Sequence, residues 1–435
     1  MKLLRYDQPD FDEAVAKACA SSSLLDPKIE EAVRTAIANV QAHGDAALVE
    51  LTERFDHVKL TAEQLRMTGP APHVDAKLRR AIAAAHRNIA AFAHRSLRKD
   101  WRMRNAQGGG VGERFDPLQR VGIYIPGGTA PLVSTVLMTV TLAKVAGCPE
   151  IVVCSPPPIN PAVLYAAKVA GATEVYQLGG AQAIAAMALG TPTIRRVAKI
   201  FGPGNAYVTA AKRLLFGAVG IDMLSGPSEL LVLADDSAEP RYIAADMLAQ
   251  AEHGSGYERV WLVTTSEAVL ETTQAEIARQ IPSLNRREFA EQALQHSGTC
   301  VLVKYLPQAI RITNQFAPEH CELMTKNNAK VLRQIKTAGA VFLGPWTPTV
   351  VGDYLAGPSH ALPTGGAGAW FAGLTVDQFQ RRTSVIELSR PALNKSLPAL
   401  EAFGSVEGLD AHVKSARIRF QDSRTDVSPV RKRGE

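Results

Sequence analysis

The sequence predicts an α/β protein built from open parallel sheets. Three observations carry this. Short apolar runs alternate with helical patterns through the middle of the chain, the rhythm breaks near 221–228, and it then resumes. Alternation of that kind implies strands joined by crossover helices, hence parallel pairing. A chain of 435 residues also exceeds one ordinary core and suits two or more domains.

The elements follow in order. Residues 28–98 read as helices, with apolar positions at helical spacing through Ile29, Ala32, Val33, Ile37 and Val40, and again over 78–92. Strands are expected at 120–125, 150–154, 174–178 and 197–201, each followed by a helix, at 132–145, 162–170, 181–189 and 205–216. After the break come a strand at 230–233, a helix at 241–252 and a strand at 260–264 with a helix from Ser266. Later strands fit 299–303 and 340–343. The stretch 344–373 is rich in Gly and Pro with little periodicity, and a loop that long inside a compact enzyme is usually functional. Beyond Thr375 the chain reads as an appendage with a short amphipathic helix after Asp410.

Composition narrows the function classes. Apolar residues make up 46% and charged residues 21%, which excludes disordered and fibrous chains. The net charge of +6 is spread thinly, with small clusters at 95–104 and Arg431-Lys432-Arg433, so no nucleic-acid partner is expected. The five cysteines, Cys19, Cys148, Cys154, Cys300 and Cys321, form no CxxC pair, which argues against a cysteine zinc site or a disulfide framework. Residues 1–10 carry no signal pattern, and the apolar stretch 131–147 is broken by Ser, Thr and Lys144. A cytoplasmic protein without a membrane span is expected.

Several stretches can carry chemistry. Gly122-Ile-Tyr-Ile-Pro-Gly-Gly128 and Gly202-Pro-Gly-Asn205 both follow a predicted strand and precede a helix. Glycine there lets backbone approach a ligand, and two such loops at the carboxyl ends of parallel strands suggest a crevice for a phosphate-bearing ligand. Neither is GxGxxG. Gln250-Ala-Glu-His253-Gly254 closes a predicted helix, where positions three apart can face one atom, although a histidine at a helix end also serves the last carbonyls. Ala317-Pro-Glu319-His320 opens a strand and pairs a carboxylate with an imidazole; strand neighbours point apart, so a shared site needs a bend, which Pro318 permits. Asp353 and His360 stand in the Gly/Pro-rich stretch, as zinc or proton-transfer groups or as turn residues. Glu407 and His412 lie near the C-terminus.

Taken in order, these stretches resemble the histidinol dehydrogenase family over about 20–417. The matching segments are VGIYIPGGTAPLVSTVLM, GGAQAIAAMALGT, FGPGNAYV, IDMLSGPSE, LAQAEHG, FAPEH, GDYLAGPSHALPTGG and EGLDAHVKSARIR. The resemblance implies a four-electron oxidation of L-histidinol, through L-histidinal to L-histidine, reducing two NAD. It implies one zinc per subunit on Gln250, His253, Asp353 and His412, with His320 as the base and Glu319 activating water. Ser228, His360 and Glu407 would contact substrate, together with the zinc ligands and His320; Tyr124, Gln182 and Asn205 would contact NAD. It further implies a domain-swapped homodimer in which Glu407 and His412 complete the partner's site.

On that basis the fold comprises two Rossmann-like units and two small terminal pieces. A cofactor unit at 124–227 is inserted in a catalytic unit at 20–123 and 228–374. A dimerisation piece takes 1–19 and 375–389, and an appendage takes 390–435. Departures from the family pattern fall at 366–373 and at Gln378. Two rival chemistries would use the same groups: a related zinc and NAD dehydrogenase of another alcohol, such as a sulfonated diol, and a zinc hydrolase.

Overall fold

The computed structural model describes residues 1–20, 26–127 and 130–421, so Gly128 of the first glycine loop lies outside the described residues. Two compact units emerge, the larger from Met1–Leu97 with Pro117–Phe379, the smaller from Arg98–Asp116 with the described residues from Gln380 onward. No helix among the described residues is long and apolar enough to cross a membrane.

The larger unit contains two parallel sheets. One is five-stranded, in the spatial order Glu174–Gln177, Glu150–Ser155, Arg120–Tyr124, Lys199–Phe201, Gly220–Ile221. The other is six-stranded, in the order Lys2–Arg5, Thr299–Leu302, Arg259–Thr264, Glu229–Ala234, His320–Met324, Ala340–Leu343. Leaving aside Lys2–Arg5, both run third, second, first, fourth, fifth in chain order. That is the Rossmann-type order, and the expected parallel α/β architecture is present.

Local chemistry sets the helices between these strands. Asn160 caps the helix Pro161–Ala170 through Oδ1, which accepts from the Ala162 N–H at 2.8 Å, and proline occupies the first helical position. The strands are apolar on both faces because helices cover both sides, as buried parallel strands require. One face of the five-stranded sheet packs on Pro27–His43 and Asp45–Asp56 through Val33, Val40, Leu48 and Leu51. The N-terminal helices therefore share a core with the 124–227 segment, and the sheet itself begins at Arg120.

The expectation set 1–19 beside 375–389. In the structure Lys2–Arg5 pairs in parallel with Thr299–Leu302, burying Leu4, Phe11 and Val15 in the larger unit. The strand Gln380–Glu387 instead joins Gly110–Pro117 and Trp101–Arg104 in a three-stranded sheet. The smaller unit continues with helices Arg390–Glu407 and Asp410–Arg417.

Arg120 holds the amino ends of three neighbouring strands. Its Nη1 lies 2.6 Å from Glu150 and 2.7 Å from Glu174, each the first residue of its strand. Hydrogen bonding to Arg120 is the largest effect on the Glu174 carboxyl and holds it down at about 2. Removing one partner of a buried pair strands the other, so Arg120→Met is expected to cost about 2–4 kcal/mol in urea denaturation at neutral pH. A carboxyl depressed in the folded state stabilises above its unfolded value of roughly 4.3. The gap between wild type and variant should therefore shrink as pH falls from there toward 2. An unchanged gap across that range would show that the pair contributes nothing.

Candidate active site

The helix Pro240–Ala251 ends before His253, so Gln250 and His253 sit on different local structures. Gln250 is buried in the last turn, while His253 is exposed beyond it. The two still meet, since His253 Nδ1 lies 3.0 Å from the Gln250 carbonyl oxygen. A carbonyl only accepts, so Nδ1 carries the hydrogen and Nε2 keeps its lone pair.

The Glu319–His320 pair is placed by a bend just upstream. Ala317 closes the helix Leu306–Phe316 in the left-handed region, with φ +45°, and Pro318 follows. Glu319 then stands outside the strand His320–Met324, so the opposite-face rule of strand neighbours does not separate the pair. The neighbouring strand holds both. Glu319 Oε2 accepts from the Glu229 N–H at 2.8 Å, and His320 Nδ1 lies 2.9 Å from the Glu229 carbonyl oxygen. His320 Nδ1 and Glu319 Oε2 are 3.5 Å apart.

Asp353, in the short helix Thr349–Tyr354, faces two imidazoles. His320 Nε2 lies 3.7 Å and His360 Nδ1 3.9 Å from its Oδ1. His360 Nδ1 also lies 2.9 Å from the Asp353 carbonyl, and its Nε2 lies 3.2 Å from the Thr135 hydroxyl. Burial alone would raise the Asp353 carboxyl, but His320, His360 and His253 outweigh it and hold the group below the usual range. For His320 burial opposes the charged form, yet Glu319 and Asp353 together raise the imidazole well above its ordinary value. Burial lowers that of His360.

These side chains line a cavity of about 920 Å³. Its wall includes Ser228, His253, Glu319, His320, Asp353 and His360, and on another side the loop Pro203-Gly204-Asn205. That loop lies at the carboxyl ends of the five-stranded sheet, at the switch point between Arg120–Tyr124 and Lys199–Phe201. Asn205 Oδ1 caps the following helix by accepting from Tyr207 N and Val208 N, both at 3.1 Å. Gly202 sits at φ +107°, where an added Cβ would collide with the Tyr124 carbonyl. A buried Lys212–Asp222 ion pair holds the loop: Lys212 Nζ donates to the Gly202 carbonyl at 3.0 Å, and Asp222 accepts from Gly202 N at 2.8 Å.

Tyr124 and Gln182 are buried nearby without lining the cavity. The Tyr124 hydroxyl accepts from Gly180 N at 3.1 Å, and burial raises its proton affinity. Glu407 and His412 belong to the smaller unit, and both are exposed.

Two charged groups beside the pair were given no role by the sequence. Glu229 and Arg259 begin adjacent strands; Glu229 closes the segment IDMLSGPSE, and no local pattern marks Arg259. Arg259 Nη1 donates to Glu229 Oε1 at 3.2 Å. Burial lifts the Glu229 carboxyl to about 7 despite that cation. At 366–373, Gly368 has no room for a Cβ beside the Thr337 and Ala317 carbonyls, which accounts for one small residue of that segment. Gln378 donates through Nε2 to the Gly373 carbonyl at 3.2 Å.

Comparisons with known proteins point to one family. The family described as histidinol dehydrogenase matches residues 20–420. A histidinol dehydrogenase of a Synechococcus strain is 44% identical over 401 residues, 90% of this chain and 92% of that protein. One from Thermus thermophilus is 44% identical over 410 residues, 94% and 98% of the two chains. The crystal structure of histidinol dehydrogenase from Elizabethkingia anophelis superposes with a TM-score of 0.91 at 35% identity, covering 97% of this chain and 98% of that one.

Proposed function

Because the chain belongs to the histidinol dehydrogenase family, we propose that it oxidises L-histidinol through L-histidinal to L-histidine, the closing step of histidine biosynthesis. The observation that carries the mechanism is the buried Glu319–His320 pair, both members held on Glu229 and turned to the cavity.

The residues present fit a zinc ion. The Gln250 amide has a buried Nε2 without a hydrogen-bond partner, and rotating the amide would set its oxygen there. His253 offers a free Nε2, and the depressed Asp353 carboxyl is an anion at neutral pH. Among the described residues no three His, Cys, Asp or Glu side chains are grouped to hold a metal ion. Gln250, His253 and Asp353 would hold the metal with His412 of a second subunit. Once bound, zinc supplies a template for the imidazole and amino nitrogens of the substrate.

The two glycine loops and Asn205 suit a dinucleotide at the switch point. NAD held there would supply the hydride acceptor for each oxidation. Tyr124 and Gln182 are buried and line no part of the cavity, so they would reach NAD only after a local rearrangement.

With Nδ1 committed to the Glu229 carbonyl, Nε2 is the nitrogen that exchanges protons: in its neutral form His320 takes the hydroxyl proton there, and Glu319 and Asp353 then stabilise the imidazolium that results. Glu319 Oε2 is spent on the Glu229 N–H, which leaves Oε1 to accept a proton from the water that adds to the aldehyde. Ser228 and His360 form part of the wall beside them. We take the enzyme to be a cytoplasmic, domain-swapped homodimer in which Glu407 and His412 reach the partner's site.

The deciding assay follows NADH absorbance with limiting L-histidinol and excess NAD. Two NADH per histidinol are expected, abolished by chelation and restored by zinc. Absence of NADH from zinc-loaded protein that oxidises another alcohol would overturn the substrate assignment.

A further inference from the structure

The hydrogen bonds of the Glu319 carboxylate and of His320 Nδ1 both run to the backbone of one residue outside the expected machinery. The Glu229 N–H donates to Glu319 Oε2 at 2.8 Å, and the Glu229 carbonyl oxygen lies 2.9 Å from His320 Nδ1. In return the Glu319 N–H donates to Glu229 Oε2 at 3.4 Å, closing a reciprocal ring between two residues 90 positions apart in the chain. The other oxygen, Oε1, accepts from Gly365 N at 3.0 Å and from Arg259 Nη1 at 3.2 Å. Glu229 is 1% exposed, so its carboxylate is fully withdrawn from water and all of these partners are protein groups.

A charge buried to this degree is costly unless paired, and Arg259 is the pairing cation. Arg259 is itself immobilised. Its Nη2 donates to the Ala18 carbonyl at 2.6 Å, its own N–H donates to the Ser228 carbonyl at 2.9 Å, and its guanidinium lies over the Trp261 ring, 4.6 Å from the centroid. Arg259 opposes the burial that lifts this carboxyl, and every group facing its two oxygens is a donor: the guanidinium, the Glu319 N–H and the Gly365 N–H of the Gly/Pro-rich stretch.

We infer that Glu229, braced by Arg259, is a positioning residue of the oxidation: its carboxylate clamps the Glu319–His320 peptide so that Glu319 presents Oε1 and His320 presents Nε2 to the substrate. This rests on the roles assigned above to that pair. The clamp needs a group that only accepts. Glutamine preserves the volume, but it would turn an NH2 toward Gly365 N or toward Glu319 N, opposing donor to donor. The peptide would then be released by a fraction of an ångström to an ångström, and displacements of that order cost about 100-fold in rate.

The test uses zinc-loaded enzyme and compares wild type with Glu229→Gln, Arg259→Gln and Arg259→Lys. It reads zinc content, kcat per zinc-loaded site, KM for L-histidinol and for NAD, and NADH formed per histidinol. Glu229→Gln is expected to lower kcat about 10- to 100-fold with both KM values within about twofold. NADH per histidinol should fall below two at fixed time, because the oxidation that depends on Glu319 suffers most. Arg259→Gln should move the same quantities in the same direction, and Arg259→Lys, which keeps the charge, should recover most of the loss. A merely structural ion pair would lower the melting temperature while leaving kcat per zinc-loaded site and the NADH ratio unchanged; that result overturns the assignment. If Glu229→Gln does not fold, the two Arg259 variants decide the matter by the same readouts. Wild-type enzyme that yields no NADH from L-histidinol would bring down the underlying reading and this inference with it, an outcome distinct from active variants on an active wild type.

Discussion

His320→Asn is expected to lower kcat for L-histidinol by about 100- to 10,000-fold while leaving fold, zinc content and KM close to wild type. Asparagine is the informative replacement because its Nδ2 stands near the position of the imidazole Nδ1. It can still donate to the Glu229 carbonyl, so no buried acceptor is orphaned. What vanishes is the second nitrogen, the one that lies 3.7 Å from Asp353 and faces the cavity. Asparagine has no basic lone pair there, so no group takes the hydroxyl proton as hydride departs. Substrate binding depends on other elements and should persist. Steady-state NADH kinetics with circular dichroism and zinc analysis separates these effects. A variant within tenfold of wild-type kcat would remove His320 from the role of base.

Glu319→Gln is expected to divide the two oxidations. The amide oxygen can still accept from the Glu229 N–H, so the local fold should hold. The free end of the side chain becomes an NH2, which cannot take a proton from water. The first oxidation, which needs His320, should continue. The second needs water added to the aldehyde and should slow by about 100-fold or more. A rapid burst of NADH approaching one per site should appear, followed by a slow phase, and added L-histidinal should be turned over at the slow rate. Equal slowing of alcohol and aldehyde would deny Glu319 a separate role in the hydration step.

Much of the architecture was written locally. The strand–helix alternation from 120 to 216 reappears nearly element for element, since each buried strand is a continuous apolar run and each helix has its own cap or stop. Asn205 was found because a glycine loop before a helix has a recognisable form. The exposed strands of the smaller unit were not legible. Trp101–Arg104 is exposed throughout and Gln380–Glu387 largely so, and without a buried face there is no alternation to read. The edge strand Lys2–Arg5 buries a single residue, Leu4, and is too short to show a period.

The site itself divides along the same line. Residue types in order, from the glycine loops to His412, sufficed to establish the family and the reaction. The crevice rule for parallel sheets pointed to carboxyl strand ends, and that holds for the five-stranded sheet. The Glu319–His320 side lies at the opposite end of the six-stranded sheet, where Arg259, Thr299 and His320 each open a strand and border the cavity, with Glu229 opening the strand between them behind its wall. No local pattern reveals which end of a sheet faces a neighbour, because that depends on how two separately wound sheets pack. The Glu229–Glu319 ring depends likewise on parallel register between strands far apart in the chain. Periodicity and motif are short-range properties, carried by the sequence itself; register, burial and the pairing of charges exist only once distant segments meet.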